Sequence, residues 1–368
     1  MNILIFIVVL IVLIVVHEFG HFIAAKLSGM RVDEFGLGYP PRAMTIAKIG
    51  ETSYTLNWLP FGGFVKIYGE DGEITPTAGT SRAFSTKPRI LQALVLVAGI
   101  TMNILFAYAL ITGALMTGTP RALSQDELAF AKNTELAVAG VLPDTPAAIA
   151  GLLPGDIILS AEDGHYVFSG ADPEKFTEFV SNGGGNTTIA LSVRHSDGKE
   201  VTLFARPVAG VVTSNPSRPA LGVEVATIGI VPLSFGEAIV EGASLTWGTI
   251  TLTAEGLWNF FYGIFSFSAD FSQVAGPVGI AGAVGSASMR GFGYLFSIMA
   301  IISINLALIN LIPVPALDGG RFLFVLIESV IRRPIKASVA RTVNAIGFAF
   351  LVLLMIVVTA HDIFKIIG

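Results

Sequence analysis

Two histidines and a glutamate near the N-terminus have the spacing of a metal site. The chain reads His17-Glu18-Phe19-Gly20-His21. On a helix, residues four apart lie one turn apart on the same face, so both imidazoles can reach one metal ion. Glu18 lies beside them and can take a proton from water that the metal activates. The pattern therefore predicts metal-assisted hydrolysis.

The segment in front of this motif makes its setting unusual. Met1 to Val16 is a run of sixteen residues without a charge. The alternative interpretation is a pair of core histidines with a structural glutamate, but a carboxylate in an apolar segment is costly unless it has a partner. A motif that activates water, placed where a membrane-spanning helix is expected, indicates hydrolysis inside a bilayer or at its edge.

The composition is that of a membrane protein with a soluble part. The chain has 368 residues, of which 53% are hydrophobic and 13% are charged, and its mean hydropathy is +0.73. Soluble domains carry about 25% charged residues. The absence of cysteine excludes disulfides and thiolate metal ligands. No basic patch with interleaved aromatic residues is present, so we expect no nucleic-acid partner.

Four segments are apolar and long enough to cross a bilayer, which takes about 20 residues. A cleaved signal peptide is the alternative for the first, but that segment lacks a basic start and a small-residue cleavage site. We therefore predict a polytopic α-helical membrane protein with four transmembrane helices. The segments are 1–25, 90–112, 291–317 and 342–363.

The distribution of Lys and Arg predicts the orientation in the membrane. Residues 26–89 hold eight and residues 318–341 hold five, whereas residues 113–290 hold eight against seventeen acidic residues. Short loops rich in Lys and Arg stay in the cytoplasm. The N-terminus and the long acidic segment are thus expected outside the cytoplasm, and both short loops inside.

Asp318 is a candidate third metal ligand. It is the first charge after 27 uncharged residues, and Gly319-Gly320 follows it. Because the first and third spans run in the same direction, Asp318 and the histidine pair reach the same depth, near the cytoplasmic face. A catalytic zinc site has three protein ligands and one open position. His17, His21 and Asp318 would supply them for one Zn²⁺ per chain. The alternative is a helix-end carboxylate before a Gly-Gly turn.

Polar residues and prolines before Asp318 are candidates for substrate binding. Pro313 and Pro315 should interrupt the helix and free backbone groups for contacts. Asn305 and Asn310 could donate hydrogen bonds to a substrate backbone or to an oxyanion. The alternative for the two asparagines is hydrogen bonding between helices.

The loop at 26–89 contains a predicted β-hairpin. Residues 54–70 alternate and are rich in β-branched and aromatic types, and the turn is expected at Pro60 to Gly63. An exposed strand edge can hold an extended peptide by strand addition. A purely structural hairpin is the alternative. The candidate substrate-binding residues are Phe64, Val65, Lys66, Ile67 and Tyr68.

The acidic segment is predicted to contain one small β-rich α+β domain at 131–207. Linkers at 113–130 and 208–290 flank it, and the second linker includes a short strand at Leu221 to Val225. Phe235 to Phe261 is amphipathic and contains two tryptophans, which suits an interfacial helix. This helix is either an anchor or a gate for substrate.

The two motifs together resemble the site-2 protease family of intramembrane zinc metalloproteases. The sequences are His-Glu-Phe-Gly-His and Asn-x-x-Pro-x-Pro-x-Leu-Asp-Gly-Gly. The resemblance covers essentially the whole chain and is greatest to the bacterial branch of regulator of sigma-E proteases, which cleave anti-sigma factors. It implies that His17, His21 and Asp318 bind zinc and that Glu18 is the general base. Arg321 stands where many members carry His.

Two further stretches resemble elements of that family. Residues 63–70 are similar to its membrane-associated β-loop, to which substrate presentation is ascribed. Residues 141–158 resemble part of a bacterial, circularly permuted PDZ domain. Such a domain binds a peptide C-terminus at a strand edge, or serves as a steric gate against bulky outside domains. Only one PDZ domain is evident in the sequence.

The sequence therefore predicts an intramembrane zinc endopeptidase of the bacterial inner membrane. Its expected partners are the lipid bilayer and its substrates, single-span membrane proteins of the anti-sigma type or remnant signal peptides, cut in regulated intramembrane proteolysis. A metal-ion transporter is one alternative, because intramembrane His and Asp also mark ion paths. A catalytically silent PDZ scaffold is the other.

Overall fold

A computed structural model describes residues 2–70, 80–118, 120–128, 130–182, 187–195, 198–211, 217–266, 275–333 and 335–367. The chain forms two compact units, one of Met1–Thr117 with Ser234–Gly368 and one of Gly118–Leu233. The helices are α1 (Asn2–Leu27), α2 (Arg89–Thr117), α3 (Pro146–Ala150), α4 (Pro173–Asn182), α5 (Phe235–Phe265), α6 (Pro277–Arg290), α7 (Phe292–Leu311), α8 (Asp318–Ile331) and α9 (Ala337–Ile367). The strands are β1 (Val32–Ile49), β2 (Thr52–Ile67), β3 (Pro120–Ala122), β4 (Lys132–Val141), β5 (Ile157–Glu162), β6 (Val167–Phe168), β7 (Ile189–Arg194), β8 (Glu200–Ala205) and β9 (Val223–Ile230).

Four helices of the first unit are long and apolar enough to cross a membrane. They are α1, α2, α7 and α9, identified by length and composition within the described part of the chain. The prediction of four helices apolar enough to span a membrane is thereby confirmed. The helices differ from the predicted spans mainly at their ends, because α2 continues to Thr117 and α7 ends at Leu311.

Helix α2 is the centre of this unit, where it contacts α1, α5, α7 and α8. Helix α6 packs against α1 and α7. The buried Asp362 of α9 accepts hydrogen bonds from the backbone N–H groups of Gly276 (3.2 Å) and Gly279 (2.8 Å) at the start of α6. A carboxylate is favourable at a helix N-terminus, so this contact ties α9 to α6. One buried cluster of the bundle consists of Val9, Leu13, Ala107, Leu110, Val284, Met299, Ala300 and Ile304.

The hairpin between α1 and α2 contains a turn that was not predicted. β1 and β2 are joined at Gly50–Glu51, where Gly50 has a φ of +60°. Residues 60–63, where the turn was expected, are assigned to β2, but residues 53–56 and 63–66 run in opposite directions beside residues 34–37, so the chain also reverses between residues 57 and 63.

The register of this sheet leaves one strand segment at an edge. Residues 34–37 of β1 pair with residues 63–66 of β2 on one side and with residues 53–56 on the other. Among the described residues, residues 63–66 have a strand partner on one side only. This segment is therefore available for a further strand.

The segment after α7 also differs from prediction, because its first part is helical. Residues 318–341 were expected as a loop, but α8 begins at Asp318. A Cβ on Gly319 would collide with the carbonyl oxygens of Leu311 and Ile312, and one on Gly320 with that of Val314. The two glycines therefore let α8 start directly against the proline-containing turn that follows α7.

The second unit is a sheet with two helices. The strand order is β3-β9-β4-β5-β7-β8, with β6 paired to β5. The expected linker over 208–230 contributes β9, which pairs with both β3 and β4, so the sheet extends beyond both boundaries of the predicted domain. Its buried core contains Leu136, Val138, Ala147, Leu152, Ile158, Ala161, Phe176, Val180, Ile189, Leu191, Val193, Ala205 and Leu221.

Candidate metal centre

Helices α1 and α8 bring two imidazoles and a carboxylate to one point. The Asp318 Oδ2 atom lies 2.9 Å from His17 Nε2 and 3.1 Å from His21 Nε2, and the two Nε2 atoms are 3.2 Å apart. Both histidines are buried, and the Asp318 side chain is 20% exposed. Asp318 follows His17 by 301 positions and His21 by 297 positions in the sequence. The packing of α8 against the bundle therefore brings Asp318 to the two histidines.

A hydrogen bond between His21 and the backbone of α2 determines which nitrogen of the His21 ring carries the hydrogen. Its Nδ1 lies 2.8 Å from the backbone carbonyl oxygen of Val95 in α2. A carbonyl oxygen can only accept, so Nδ1 carries the hydrogen and donates. The neutral ring then has its lone pair on Nε2, which faces His17 and Asp318. This is the arrangement that histidine ligands of metals commonly show.

The donor set fits a zinc ion. Two imidazole nitrogens and one carboxylate oxygen are ligands that Zn²⁺ takes in catalytic sites, and Zn–ligand bonds of 2.0–2.1 Å in a tetrahedron place ligand atoms about 3.3 Å apart. The observed separations of 2.9–3.2 Å are close to that spacing. With a neutral His21 ring, the Nε2 lone pair faces the Asp318 oxygen, and a metal ion between the two would be bound by both. His17, His21 and Asp318 therefore suit one Zn²⁺.

Glu18 is held between the metal-binding face of α1 and strand β2. Its carboxylate accepts a hydrogen bond from the backbone N–H of Val65 and interacts electrostatically with His17, His21 and Asp318. A Cβ on Gly63 would lie 3.2 Å from the Glu18 Cγ atom, so β2 passes directly over this side chain. The edge of residues 63–66 that has no strand partner among the described residues thus faces Glu18.

Two glycines allow α1 and α2 to touch beside the site. A Cβ on Gly20 would lie 2.5 Å from the carbonyl oxygen of Ala98 and 2.9 Å from the Gly99 Cα atom. A Cβ on Gly99 would collide with His21 Nε2 and lie 2.8 Å from two ring carbons of His21. Small residues commonly permit such close approach of helices in membranes. Here the close approach sets the position of the His21 ring.

Sequence reasoning missed three residues of α2 that contact the histidines: Val95, Gly99 and Asn103. Asn103 is fully buried, and its amide lies 3.2 Å from His17 Nδ1. A polar amide in an otherwise apolar span was the available signal for Asn103. Val95 contributes only its carbonyl oxygen and Gly99 only its lack of a side chain, so neither carries a signal in the sequence.

The four residues near the end of α7 that were predicted to bind substrate differ in their exposure and in their contacts. Asn305 donates its amide to the carbonyl oxygen of Ile301 one turn earlier in its own helix. Asn310 is half-buried and lies one residue before the last residue of α7. Pro313 is exposed in the turn after α7. Pro315 packs against α9, because a Cβ added to Gly347 of that helix would lie 2.6 Å from the Pro315 Cβ atom. Substrate binding by these four residues stays a prediction.

The five predicted contacts of the hairpin divide by exposure. Phe64, Val65 and Tyr68 are half-buried, and Lys66 is exposed. Ile67 is buried in a cluster with Met30 and Val32, so its side chain belongs to the core and only its backbone is left for a substrate. Substrate binding by all five residues remains a prediction.

An ion pair joins α8 to the end of β2. The Arg321 guanidinium, one turn after Asp318, contacts the carboxylate of Glu70. A second ion pair joins α8 to the start of α2, since Arg89 Nη1 lies 2.6 Å from Glu328 Oε2. The helix that carries Asp318 is therefore fixed to both the hairpin and α2.

The chain is similar to known proteases over nearly its whole length. Residues 5–354 match the model of peptidase family M50. A protein of Clostridium perfringens that carries the provisional name of a zinc metalloprotease is 34% identical over 351 residues, which are 95% of each chain. The zinc metalloprotease RasP of Oceanobacillus iheyensis is 27% identical over an alignment of 435 positions, which covers 96% of each chain.

A solved structure resembles a smaller part of the chain. It is the PDZ domain of an SdrC-like protein from Listeria monocytogenes, with 21% sequence identity and a TM-score of 0.21. The match covers 24% of this chain and 85% of that domain.

Proposed function

The chain belongs to peptidase family M50 and is a zinc metalloprotease of the site-2 type, and we propose that it cleaves peptide bonds within the membrane-spanning segments of other proteins. The observation that carries this proposal is the cluster of His17, His21 and Asp318, because its two histidines lie on α1, a helix that is itself apolar enough to span the membrane. Glu18 on the same helix completes the machinery for hydrolysis.

The three clustered side chains would hold one Zn²⁺ per chain. Zinc bound there would lower the pKa of a water molecule and polarise the carbonyl group of the scissile peptide bond. His21 is oriented for this by its hydrogen bond to the Val95 carbonyl oxygen. Asp318 is oriented by the start of α8, which Gly319 and Gly320 allow to pack against the preceding turn.

Glu18 is the proposed general base and then the general acid. Its carboxylate accepts the proton of the attacking water as the water oxygen bonds to the carbonyl carbon. It then donates this proton to the nitrogen of the leaving amine as the C–N bond breaks. The hydrogen bond from the Val65 N–H holds the carboxylate in place through both steps. Asn310 is the proposed hydrogen-bond donor to the oxyanion.

The hairpin edge at residues 63–66 is the proposed holder of the substrate backbone. A peptide bond in a helix is shielded by its own hydrogen bonds, so the substrate must be extended before it is cut. Strand addition at this edge would supply replacement hydrogen bonds. Because the same edge contacts Glu18, a strand added there would lie beside the catalytic carboxylate.

We propose the bacterial inner membrane as the location, with the N-terminus and the Gly118–Leu233 unit outside the cytoplasm. The excess of Lys and Arg in the short loops supports this orientation, and it places the zinc site towards the cytoplasmic side. The proposed substrates are single-span proteins of the anti-sigma type or remnant signal peptides. The Gly118–Leu233 unit is the proposed PDZ domain, which either binds a peptide C-terminus or excludes bulky substrates.

The position of the cut tests this function. The full chain in detergent would be incubated with a labelled single-span protein, the products located by mass spectrometry, and zinc measured in the same sample. We expect about one zinc per chain and a cut inside the apolar span, and no cut after chelation until zinc is restored. A cut only outside the span would contradict the proposal, as would zinc-independent cleavage.

The Arg321–Glu70 ion pair is expected to support the reaction moderately, because it fixes the helix of Asp318 to the strand beside Glu18. The Arg321 side chain is 41% exposed, and such pairs contribute about 1 kcal/mol or less. Arg321→Ala and Glu70→Ala should each lower kcat/KM about 2–5-fold, and the double variant should be no worse than either single one. Arg333→Ala, an exposed arginine just beyond the same helix, is the control. Additive losses would show that the pair does not act as a unit.

A further inference from the structure

The amide of Asn103 lies at the nitrogen of the His17 ring that points away from Asp318 and His21. Its Nδ2 atom lies 3.2 Å from His17 Nδ1, while His17 Nε2 faces Asp318 and His21. Asn103 is fully buried in α2. Its Oδ1 atom is also buried and has no hydrogen-bond partner among the described residues. An unsatisfied buried acceptor costs about 1–3 kcal/mol.

A half-turn of this amide removes a conflict. If His17 binds a metal through Nε2, its Nδ1 carries the hydrogen and requires an acceptor. The Nδ2 atom of Asn103 is a donor and cannot serve. Oxygen and nitrogen of an amide have nearly the same shape and are assigned by their hydrogen bonds. Turning the amide places Oδ1 on His17 Nδ1–H, so the donor of a zinc-binding ring meets an acceptor, and the NH2 group takes the buried position that Oδ1 held.

The same helix supports both histidines in this way. The Val95 carbonyl oxygen accepts from His21 Nδ1, and Asn103, eight residues later in α2, would accept from His17 Nδ1. The backbone of Asn103 is itself fixed, because the Ser303 hydroxyl of α7 donates to its carbonyl oxygen at 2.8 Å. Helix α2 thus presents one acceptor to each ring, while α1 and α8 present the ligands.

We infer that Asn103 is a positioning residue that accepts a hydrogen bond from His17 Nδ1 and so sets the tautomer and orientation of His17 as a zinc ligand. This inference rests on the proposed zinc site. Hydrogen bonds of this kind typically change metal affinity 10–100-fold. This positioning role requires a hydrogen-bond acceptor at the end of the Asn103 side chain. If Asn103 only filled the space between α1 and α2, an apolar side chain of the same volume would serve equally well.

Zinc affinity of the full chain in detergent tests this, measured by competition with a chromophoric chelator. Asn103→Leu, which keeps the volume and removes the acceptor, should weaken zinc binding 10–100-fold. Asn103→Asp, which keeps an acceptor oxygen, should bind zinc nearly as tightly as wild type. The absorption spectrum of bound Co²⁺ should be altered in Asn103→Leu and restored in Asn103→Asp, since it reports the ligand geometry.

Thr112→Val is the matched control, because it removes a buried hydrogen bond of the same helix, from the Thr112 hydroxyl to the Tyr108 carbonyl oxygen, and leaves Asn103 and its contacts in place. It should retain wild-type zinc affinity. If Asn103→Leu is recovered unfolded, Asn103→Ala replaces it with the same expected loss. Wild-type affinity in the variants without an acceptor would overturn the inference, as would equal loss in Asn103→Asp or in Thr112→Val. A wild-type protein that neither holds zinc nor cuts would instead overturn the proposed function.

Discussion

Replacing Glu18 by Gln should abolish nearly all proteolysis while zinc stays bound. The amide has the size of the carboxylate and can still accept the hydrogen bond from the Val65 N–H. It cannot take a proton from water, and general acid–base catalysis commonly contributes 10²–10⁴-fold. We expect kcat to fall by about that factor, with about one zinc per chain retained. Cleavage of a labelled single-span substrate and elemental analysis of the same samples measure both quantities.

Glu241→Gln, the same substitution on α5, is the control and should cut like wild type. The assignment of roles depends on the two readouts differing. If Glu18→Gln lost zinc together with activity, Glu18 would have to be a ligand. If it cut as fast as wild type, the general base would have to be another group.

The cluster of His17, His21 and Asp318 was predictable because its parts are encoded locally. His17 and His21 are one helical turn apart, and Asp318 is the first charge after a long apolar run. The direction of successive spans then places the two motifs at one depth. The support from α2 was not predictable in this way. Val95 offers a backbone carbonyl and Gly99 an absent side chain, and both depend on how α1 packs on α2.

The hairpin shows that turn composition alone does not give the pairing of strands. Pro60-Phe61-Gly62-Gly63 has the composition of a turn and the chain reverses between residues 57 and 63, but the further turn at Gly50–Glu51 was not predicted. The pairing of β1 with two separate parts of β2 decides the register, and such long-range pairing cannot be read from turn residues.

The start of α8 was missed for a similar reason. Two adjacent glycines at 319 and 320 indicate a turn by propensity. In the structure they are required because the first turn of α8 lies against the carbonyl oxygens of residues 311–314. Tertiary packing therefore overrides the local preference at the position where Asp318 must be held.

Adding one methyl group at Gly99 should disable the metal site. The new Cβ would collide with His21 Nε2 and lie 2.8 Å from two carbons of the same ring. Relief by separating the helices would be costly, because Gly20 of α1 also approaches the backbone of Ala98 and Gly99. The His21 ring must then turn away from His17 and Asp318. A displacement of about 1 Å at a reacting centre can cost 10²-fold, so we expect Gly99→Ala to lose at least about 100-fold in kcat/KM and to hold zinc poorly.

Gly113→Ala separates this steric effect from the general effect of alanine in a helix. Gly113 lies in the same helix, and its Cβ would meet only the Phe296 ring at 3.4 Å and 3.5 Å. Alanine favours a helix by about 1 kcal/mol over glycine, so Gly113→Ala should keep full activity and equal or exceed wild type in thermal stability. Gly99→Ala gains the same propensity, and any loss of zinc must come from the contact with His21. Full zinc content and activity in Gly99→Ala would mean that α1 and α2 move apart readily, and the close approach of the helices would then not determine the position of the ligand.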